Sequence, residues 1–348
     1  MRIRLTVPEV QSRPLDRPTH CPKCGGQTLY QAQVHPRKRF IDTKLTDVAT
    51  IRYGCSTCGK TFHHYPKGVT RKQQSARVVV LASLLYNLGL SYEATAKILG
   101  VLEAGVSKTT VWRDVKEVGL AARRRQHFRD WGQVRILGAD ETVFKVNGKE
   151  VVVGFVTNAE TGDLLGADIL IDRSAKGLVK WLKRYARRVG AEVVVTDDLA
   201  TYRPALEELG LEHQVCLTHV LRNMSRRLRE VEGYEAEKEK LRQVVKELPE
   251  DGGAQLLKLA LEVKEAEPRL YWLALQLSER WERLVLYKRI VGVPRANNAS
   301  ERAIGPSKIR YRTMRGMKSY RGILNLIALT REIYGGSEEV RLTEALAA

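Results

Sequence analysis

The pattern of apolar and polar positions changes character near residue 131. From residue 71, apolar residues recur at the spacing of amphipathic helices, and glycines separate three such stretches. After residue 131, apolar residues come mainly in short runs that are typical of strands. The predicted elements are strands at 135–139, 150–157 and 164–171, a helix through 178–189, a strand at 193–196, a short helix, and a strand near 213–217. The pattern therefore predicts a helical domain followed by an α/β domain.

This element order is that of a ribonuclease H-like domain, in which an antiparallel three-stranded meander is extended by two strands parallel to its first. Asp140 would then end the first strand beside Asp197, which ends the buried Val-Val-Val-Thr strand. Ligand sites gather at the carboxyl ends of parallel strands, and a buried acid is costly unless it is paired or bound to a cation. We therefore expect these two carboxylates to meet.

Both acids have an acidic neighbour, which leaves the choice between them open. Asp197 is favoured over Asp198 because it directly follows the strand, and Asp198 or Thr196 is instead a candidate cap for the helix that follows. Neighbouring residues on a strand point to opposite faces. Only one member of each pair, including Asp140 and Glu141, is therefore expected to serve the site.

A third acid is available downstream at Glu301. Between it and the last strand lies a stretch rich in Leu, Glu, Lys and Arg, interrupted at residues 249–253 and at Pro268, which predicts an all-helical insertion. Glu301 opens the helix after this insertion and could point back at the aspartates. The alternative is structural, since Asn298 and Glu301 have the spacing of a helix N-cap and its capping-box partner.

Charge is distributed unevenly along the 348 residues, whose formal net charge is +19. The first 130 residues contain 23 Lys/Arg and 9 Asp/Glu, whereas the remainder contains 36 and 31. This asymmetry predicts a polyanionic partner, and nucleic acid is favoured over membrane because there is no basic amphipathic anchor or long apolar run. With no signal peptide recognised, we expect a cytoplasmic, nucleoid-associated protein.

Four of the five cysteines form two Cys-x-x-Cys pairs, each followed by glycine: Cys21, Cys24, Cys55 and Cys58. Four thiolates on two such turns suit a structural tetrahedral Zn²⁺, with a hairpin within 41–53 bringing the pairs together. Two independent redox motifs are the alternative, but the βαβ context of such motifs is missing. The sequence predicts a zinc ribbon whose role in contacting DNA or protein stays open.

The three predicted helices have the layout of a helix-turn-helix, with Ser91 and Ser107 as caps of the last two. Val111 and Val115 would hold the last helix on the bundle. The residues expected to face DNA are Lys108, Thr109, Thr110 and Arg113. An ordinary three-helix bundle is the alternative, and Arg123–Arg125 are expected to form a basic linker.

Four motifs in order resemble those of the DDE transposases of bacterial insertion sequences, closest to those with a helical insertion before the glutamate. They are Asp140-Glu141-Thr142, Asp197 with Tyr202 five residues on, Cys216-x-x-His219 before Arg222-Asn223, and Asn297-Asn298-x-x-Glu301-Arg302. The likeness covers about residues 134–330, and an upstream zinc ribbon and helix-turn-helix is a familiar layout for such enzymes.

The resemblance implies a DNA transposase that cuts and joins DNA with two Mg²⁺ or Mn²⁺ ions held by Asp140, Asp197 and Glu301, acting as a homodimer or larger assembly on double-stranded DNA. Cys216, His219, Asn298 and Arg302 would support this site. The alternatives are a structure-specific nuclease or resolvase and a non-catalytic DNA-binding regulator. An acid-free stretch after Glu301 is expected to hold the DNA backbone through Lys308, Arg310, Arg312, Arg315 and Lys318, unless these charges are merely solvated.

The predicted fold is thus multidomain α/β. Its domains are a zinc ribbon (1–68), a helix-turn-helix domain (69–130), the first part of a ribonuclease H-like mixed-sheet domain (131–220), an all-helical insertion (221–293), and the C-terminal part of the catalytic domain with Glu301 and the basic segment (294–348).

Overall fold

The computed structural model describes residues 7–314 and 316–334, which fall into two units. One contains the described residues up to Phe128 together with those from Pro306 onward, and the other is Arg129–Gly305. The protein is mixed α/β, as the sequence predicted. The segment after Pro306 groups with the amino-terminal unit, whereas the sequence-based division put it with the catalytic domain.

The amino-terminal unit begins with a three-stranded antiparallel sheet of β1 (Leu29–Arg39), β2 (Asp47–Cys55) and β3 (Thr61–His64). The β1–β2 hairpin pairs Leu29 with Cys55, so the expected hairpin within 41–53 is too short. β1 was not predicted from the sequence. Many of its residues are polar, because this sheet buries little apolar surface.

Three helices follow: α1 (Ala76–Asn87), α2 (Tyr92–Val101) and α3 (Lys108–Phe128). The predicted caps are present, since Ser91 Oγ accepts from the Ala94 N–H at 3.0 Å and Ser107 Oγ from the Thr110 N–H at 3.1 Å. The prediction of a basic linker was wrong, because α3 continues through residues 123–125 to Phe128.

A buried ion pair joins the β1–β2 connection to α1. The Arg77 guanidinium donates to Asp42 at 2.8 Å, and the hydroxyl of Ser75, the N-cap of α1, donates to the same carboxylate at 2.5 Å. Backbone N–H groups of Lys44 and Leu45 also donate to Asp42. Four donors thus compensate the cost of burying this charge.

The second unit is built on a five-stranded sheet with strand order β6-β5-β4-β7-β8. Its strands are β4 (Ile136–Val146), β5 (Lys149–Asn158), β6 (Leu164–Ile169), β7 (Val193–Thr196) and β8 (Glu212–Val215). β4, β5 and β6 form an antiparallel meander, while β7 and β8 run parallel to β4. This is the strand order that the apolar pattern predicted.

Helices α4 (Ala175–Val189) and α5 (Tyr202–Leu209) contribute apolar side chains, including Trp181, Leu182 and Leu206, to one core with sheet residues. β4 is longer than predicted, so Asp140 lies within the strand and not at its end. The partner strand β7 pairs only with Ile136, Leu137 and Gly138.

The predicted all-helical insertion is present within the second unit. It contains α6 (Leu217–Arg229), α7 (Glu235–Glu247), α8 (Gly252–Val263), α9 (Pro268–Glu279) and two short helices, α10 (Trp281–Leu284) and α11 (Leu286–Arg289). Trp281 is buried at the centre of this core. A Cβ on Gly252 would lie 2.0 Å from the indole ring, so glycine is needed where α8 begins.

The last helices are α12 (Asn298–Arg312) and α13 (Tyr320–Tyr334). α13 packs against α3, where a Cβ on Gly119 would lie 3.0 Å from the backbone oxygen of Asn325. The three-helix segment α1–α3 therefore packs with a fourth helix that comes from the C-terminal part of the described chain. No helix in the described ranges is long and apolar enough to cross a membrane.

Candidate active site and metal centres

The four cysteines of the predicted zinc site come together. Cys21 Sγ lies 3.9 Å from Cys58 Sγ, and Cys24 Sγ lies 3.6 Å from Cys55 Sγ. Four sulfurs at about 2.3 Å from a tetrahedral zinc ion lie about 3.8 Å apart, so the spacing is that of a zinc tetrahedron. The local turns produce it: Gly25 and Gly59 have positive φ, and their N–H groups bond back to the Cys21 and Cys55 carbonyls.

Hydrogen bonds also favour thiolates here. The backbone N–H groups of Lys23 and Gly26 donate to the sulfurs of Cys21 and Cys24 at 3.4 Å. The backbone N–H of Cys58 is the main cause that lowers the pKa of Cys55 to about 6, whereas the neighbouring thiols and burial raise the pKa of Cys24, against the effect of the Gly26 N–H. His64 bonds to Asp16 and is not needed as a ligand.

The second candidate site lies where β4 runs past the end of β7. Extending the pairing of Gly138 with Val195 by two residues brings Asp140 opposite Asp197. One oxygen from each of Asp140, Glu141 and Asp197 lies within 4.8 Å of the others. Two acids that are 57 residues apart in sequence thus meet at one sheet edge, as the predicted topology required.

Glu141 was expected to point away from Asp140, and this expectation was wrong. Its carboxylate joins the same group of acids. Alternation sets the direction in which each side chain leaves the strand, but a long side chain can still bring its carboxylate around an unpaired strand edge. Since pairing of β4 with β7 stops at Gly138, that edge is open beyond it and the long Glu141 side chain reaches the group.

Asp198 is directed elsewhere. Its carboxylate forms an ion pair with the Arg280 guanidinium of the insertion. Asp197 Oδ1 instead accepts from the Leu199 N–H at 3.1 Å, so it also closes the turn after β7. The two neighbouring acids therefore have different partners, and only Asp197 belongs to the group with Asp140.

Burial and the nearby negative charges raise the pKa values of Asp140 and Glu141. Burial, followed by the charge of Asp197, raises the pKa of Asp140 to about 6. The same two causes raise the pKa of Glu141 to about 7. The site is therefore poor in compensating positive charge, which is the condition under which a divalent cation binds favourably.

Glu301 is in the first turn of α12 and lies outside the group of three acids within 4.8 Å, taking the described residues together. Its Oε1 lies 3.7 Å from His219 Nε2. Its charge nevertheless contributes to the raised pKa of Asp140. The structure thus brings Glu301 near the aspartates but not into contact with them.

The start of α12 is held against β4 by Asn297. Its Nδ2 donates to the Ala139 carbonyl at 2.8 Å, and its backbone N–H donates to Cys216 Sγ at 3.3 Å. A Cβ on Gly138 would lie 2.8 Å from Asn297 Oδ1, so this close approach requires glycine. These contacts fix the position of the helix that carries Glu301.

Two sequence-based assignments change as a result. Asn298 is exposed and is the first helical residue, so the supporting contacts are made by Asn297 and the expected Asn298 N-cap is displaced by one position. Arg302 is also exposed, with its guanidinium near Gly162. Asn297 belongs to the Asn297-Asn298-x-x-Glu301-Arg302 motif, but nothing in the sequence showed that Asn297, and not Asn298, makes these contacts.

Cys216 and His219 lie beside this junction. The nearby Cys216 thiol is the main cause that raises the pKa of His219 to about 8. His219 thus has a raised affinity for a proton, and its Nε2 lies near the Glu301 carboxylate. His213 precedes these two residues, and its Nε2 lies 2.8 Å from the Thr196 hydroxyl oxygen. His213, Cys216 and His219 form no metal-ligand group among the described residues.

The residues predicted to face DNA on α3 differ in their exposure. Lys108, Thr109 and Arg113 are exposed, while the Thr110 hydroxyl is 3.0 Å from Ser107 Oγ and takes part in capping. Trp112 was not among the residues predicted from the sequence to face DNA. It is exposed on the same helix, with Lys116 Nζ 5.0 Å from its ring centre.

The basic residues after Glu301 also differ in their burial and contacts. Arg310 is buried, stacks on Tyr86 at 4.2 Å, and donates to the carbonyls of Gly89 and Leu90. This arginine therefore has a structural role and not the predicted DNA contact. Arg312 and Lys318 are exposed, Lys308 is half-buried, and Arg315 lies outside the described residues.

No protein-family model matches the chain. A search of curated proteins finds the insertion element ISM1 uncharacterized 48.3 kDa protein of Methanobrevibacter smithii, which is 19% identical over 216 residues. The chain is similar to an insertion-element protein. This match confirms the resemblance that the motifs indicated; it covers 60% of this chain and about half, 53%, of the relative.

Two solved structures are also matched. The HTLV-2 integrase catalytic core domain in complex with magnesium is 11% identical, with 43% of this chain and 88% of that chain covered and a TM-score of 0.22. The BIV integrase catalytic core domain is 12% identical, with 51% and 99% covered and a TM-score of 0.20. At TM-scores this low, the strand order and not these structures is the basis for the fold.

Proposed function

We propose that this chain is a DDE-type DNA transposase that binds the ends of a mobile element, hydrolyses phosphodiester bonds there and joins the ends to target DNA. The observation that carries the proposal is the meeting of Asp140 and Asp197 at the edge of a sheet with ribonuclease H-like strand order. The similarity to an insertion-element protein supports it independently.

The carboxylates fit divalent cations. Asp140 and Asp197 offer hard oxygen ligands from two strands, and Glu301 adds a third carboxylate from α12. The raised pKa of Asp140 reflects uncompensated negative charge that a cation would neutralise. When bound, two Mg²⁺ or Mn²⁺ ions supply an activated water and stabilise the departing 3′ oxygen.

The protein's own residues position these groups. The buried pairing of β4 with β7 fixes the two aspartates relative to each other, and Asn297 fixes the start of α12 on β4. His219 lies beside the Glu301 carboxylate, and its raised pKa favours a protonated ring that would attract a phosphate. Asp198 is neutralised by Arg280 and takes no part in the chemistry.

The amino-terminal unit has two proposed roles. Cys21, Cys24, Cys55 and Cys58 hold a structural Zn²⁺. The exposed start of α3, with Lys108, Thr109 and Arg113, reads the element ends in the major groove. Arg312 and Lys318 contribute backbone contacts to DNA.

A strand-transfer assay tests the proposal. Purified protein is given a duplex with an element end and an exposed 3′-OH, together with a supercoiled target plasmid and Mg²⁺ or Mn²⁺. We expect joined products that depend on the end sequence and disappear when the donor carries a 3′-dideoxy terminus.

The rival functions give different results in the same assay. A structure-specific nuclease or resolvase would cut branched DNA without joining, and a non-catalytic regulator would bind ends without cutting. Cleavage without joining under conditions that give complete cutting would contradict transposition. Paired-end cutting also requires a homodimer or larger assembly on DNA, which native mass spectrometry of the end complex measures.

A further inference from the structure

The group of acids at the sheet edge contains Glu141, which a three-carboxylate mechanism of Asp140, Asp197 and Glu301 does not use. One of its oxygens lies within 4.8 Å of oxygens from both Asp140 and Asp197, whereas Glu301 is outside this group. Glu141 Oε1 is buried and makes no hydrogen bond within the described part of the chain. A buried carboxylate oxygen without a donor is costly, so this position calls for a cation.

Tyr202 provides a second, independent observation. Its side chain is completely buried, and its hydroxyl makes no hydrogen bond of good geometry within the described residues. Among surrounding charges, Glu141 acts most strongly on this hydroxyl, followed by Asp197. The ring belongs to the same buried core as Ala205 and Leu206, while its hydroxyl is close enough to Glu141 and Asp197 to be affected by both charges.

We propose that Glu141 is a ligand of the divalent cation held by Asp140 and Asp197, and that Tyr202 positions its carboxylate. The proposal rests on the proposed function, because it concerns the same cation. Its consequence is that the first cation site consists of three acids from β4 and from the end of β7, and forms without Glu301. Glu301 then completes the second ion in the presence of DNA.

The chemistry favours this division of roles. Three carboxylates match the preference of Mg²⁺ and Mn²⁺ for hard oxygen ligands. A phenol that donates to one carboxylate oxygen leaves the other oxygen directed at the ion, as groups around a metal site commonly do. Glu301 instead lies outside the three-acid group, with its Oε1 3.7 Å from His219 Nε2.

The test is Mn²⁺ binding to the full-length, zinc-loaded protein without DNA, measured from the electron paramagnetic resonance signal of free Mn²⁺. Glu141→Gln is compared with Glu301→Gln and with the control Asp198→Asn, whose carboxylate pairs with Arg280. We expect Glu141→Gln to weaken Mn²⁺ binding at least about tenfold, and Tyr202→Phe about tenfold, as for residues that ligate or orient a metal site. Asp198→Asn is expected to bind Mn²⁺ as the unmodified protein does, and Glu301→Gln is expected to lose less affinity than Glu141→Gln, since Glu301 lies outside the three-acid group.

A double-mutant comparison separates positioning from packing. If Tyr202 acts through Glu141, then Tyr202→Phe changes Mn²⁺ affinity little in a protein that already carries Glu141→Gln. Melting temperatures of all variants, recorded without Mn²⁺, identify any general loss of structure.

Two results would overturn the inference. One is Mn²⁺ affinity within about threefold of the unmodified protein for Glu141→Gln while Asp140→Asn loses binding, and the other is an equal loss for Glu301→Gln and Glu141→Gln. Either result leaves the proposed transposase function standing. Conversely, absence of strand transfer by the unmodified protein contradicts that function without changing the Mn²⁺ measurement.

Discussion

The two candidate metal centres differ in how their ligands are held. In the cysteine site, hydrogen bonds from local turns stabilise the sulfurs at the spacing of a zinc tetrahedron. In the carboxylate site, burial and repulsion raise the pKa values of Asp140 and Glu141. The cysteine site offers four protein ligands, whereas the carboxylate site has fewer hydrogen-bond donors than negative charges.

This difference predicts which part of the protein each ion would serve. A closed thiolate site folds a small sheet that has little apolar core of its own. The carboxylate site lies on a sheet with a large core, so its fold does not depend on an ion. Metal removal should therefore affect structure at one site and chemistry at the other.

The largest expected effect comes from removing zinc. We expect about one Zn²⁺ per chain, and its chelation should unfold the three-stranded sheet, because structural zinc contributes on the order of 10 kcal/mol to folding. Hydrogen exchange would show rapid exchange in β1 and β2, whereas removal of Mg²⁺ should leave both units protected. Cys55→Ser should lose the zinc and Cys216→Ser should keep it. A protected sheet in metal-free protein would contradict the difference between the sites.

The next effect is on catalysis. Asp140→Asn, Asp197→Asn and Glu301→Gln should each reduce metal-dependent cleavage at least a thousandfold, about 4 kcal/mol, because each removes charge without volume from a metal ligand. Asp198→Asn is the matched control and should retain substantial activity, since its partner is Arg280. Cleavage of end-containing DNA measures this. Activity in Asp197→Asn together with inactivity in Asp198→Asn would reverse the assignment.

DNA recognition should respond more weakly. Arg113→Ala should weaken binding to element ends by about 1 to 3 kcal/mol more than binding to random duplex, if the side chain reaches base edges. Arg124→Ala removes the same charge from an exposed position later on α3 and should affect both DNAs equally. Fluorescence anisotropy at fixed salt measures the difference. Equal losses for Arg113→Ala on both DNAs would indicate phosphate contact alone.

The smallest effect concerns stability without a divalent cation. The pKa of Asp140 is raised to about 6 in the folded protein, so the stability due to its protonated form is present below about pH 4 and lost as pH rises through 6. Asp140→Asn should therefore stabilise the metal-free protein by about 1 to 2 kcal/mol at pH 8 and have little effect at pH 4. Chemical denaturation at several pH values measures this, with exposed Glu192→Gln as control. Destabilisation at pH 8 would mean that the carboxylate is already compensated.

The sequence by itself determined what depends on local spacing and periodicity. Two Cys-x-x-Cys-Gly turns specify their own geometry, so Cys21, Cys24, Cys55 and Cys58 could be assigned as a group. Serine caps and apolar stripes located the helices, and the order of β-type runs predicted the sheet. Because parallel pairing follows from that order, the meeting of Asp140 with Asp197 was also predictable.

Only the tertiary structure decided what depends on where one element stops relative to another. Pairing of β4 with β7 ends at Gly138, which opens the strand edge and admits Glu141. Asp198 is removed from the site by Arg280, which is 82 residues away. In the sequence, Arg310 could not be distinguished from surface cations. In the fold, it contacts the Tyr86 ring and the Gly89 and Leu90 carbonyls. Long-range partners of this kind leave no local pattern, because the free energy of a charge depends on which groups the fold brings within a few ångströms.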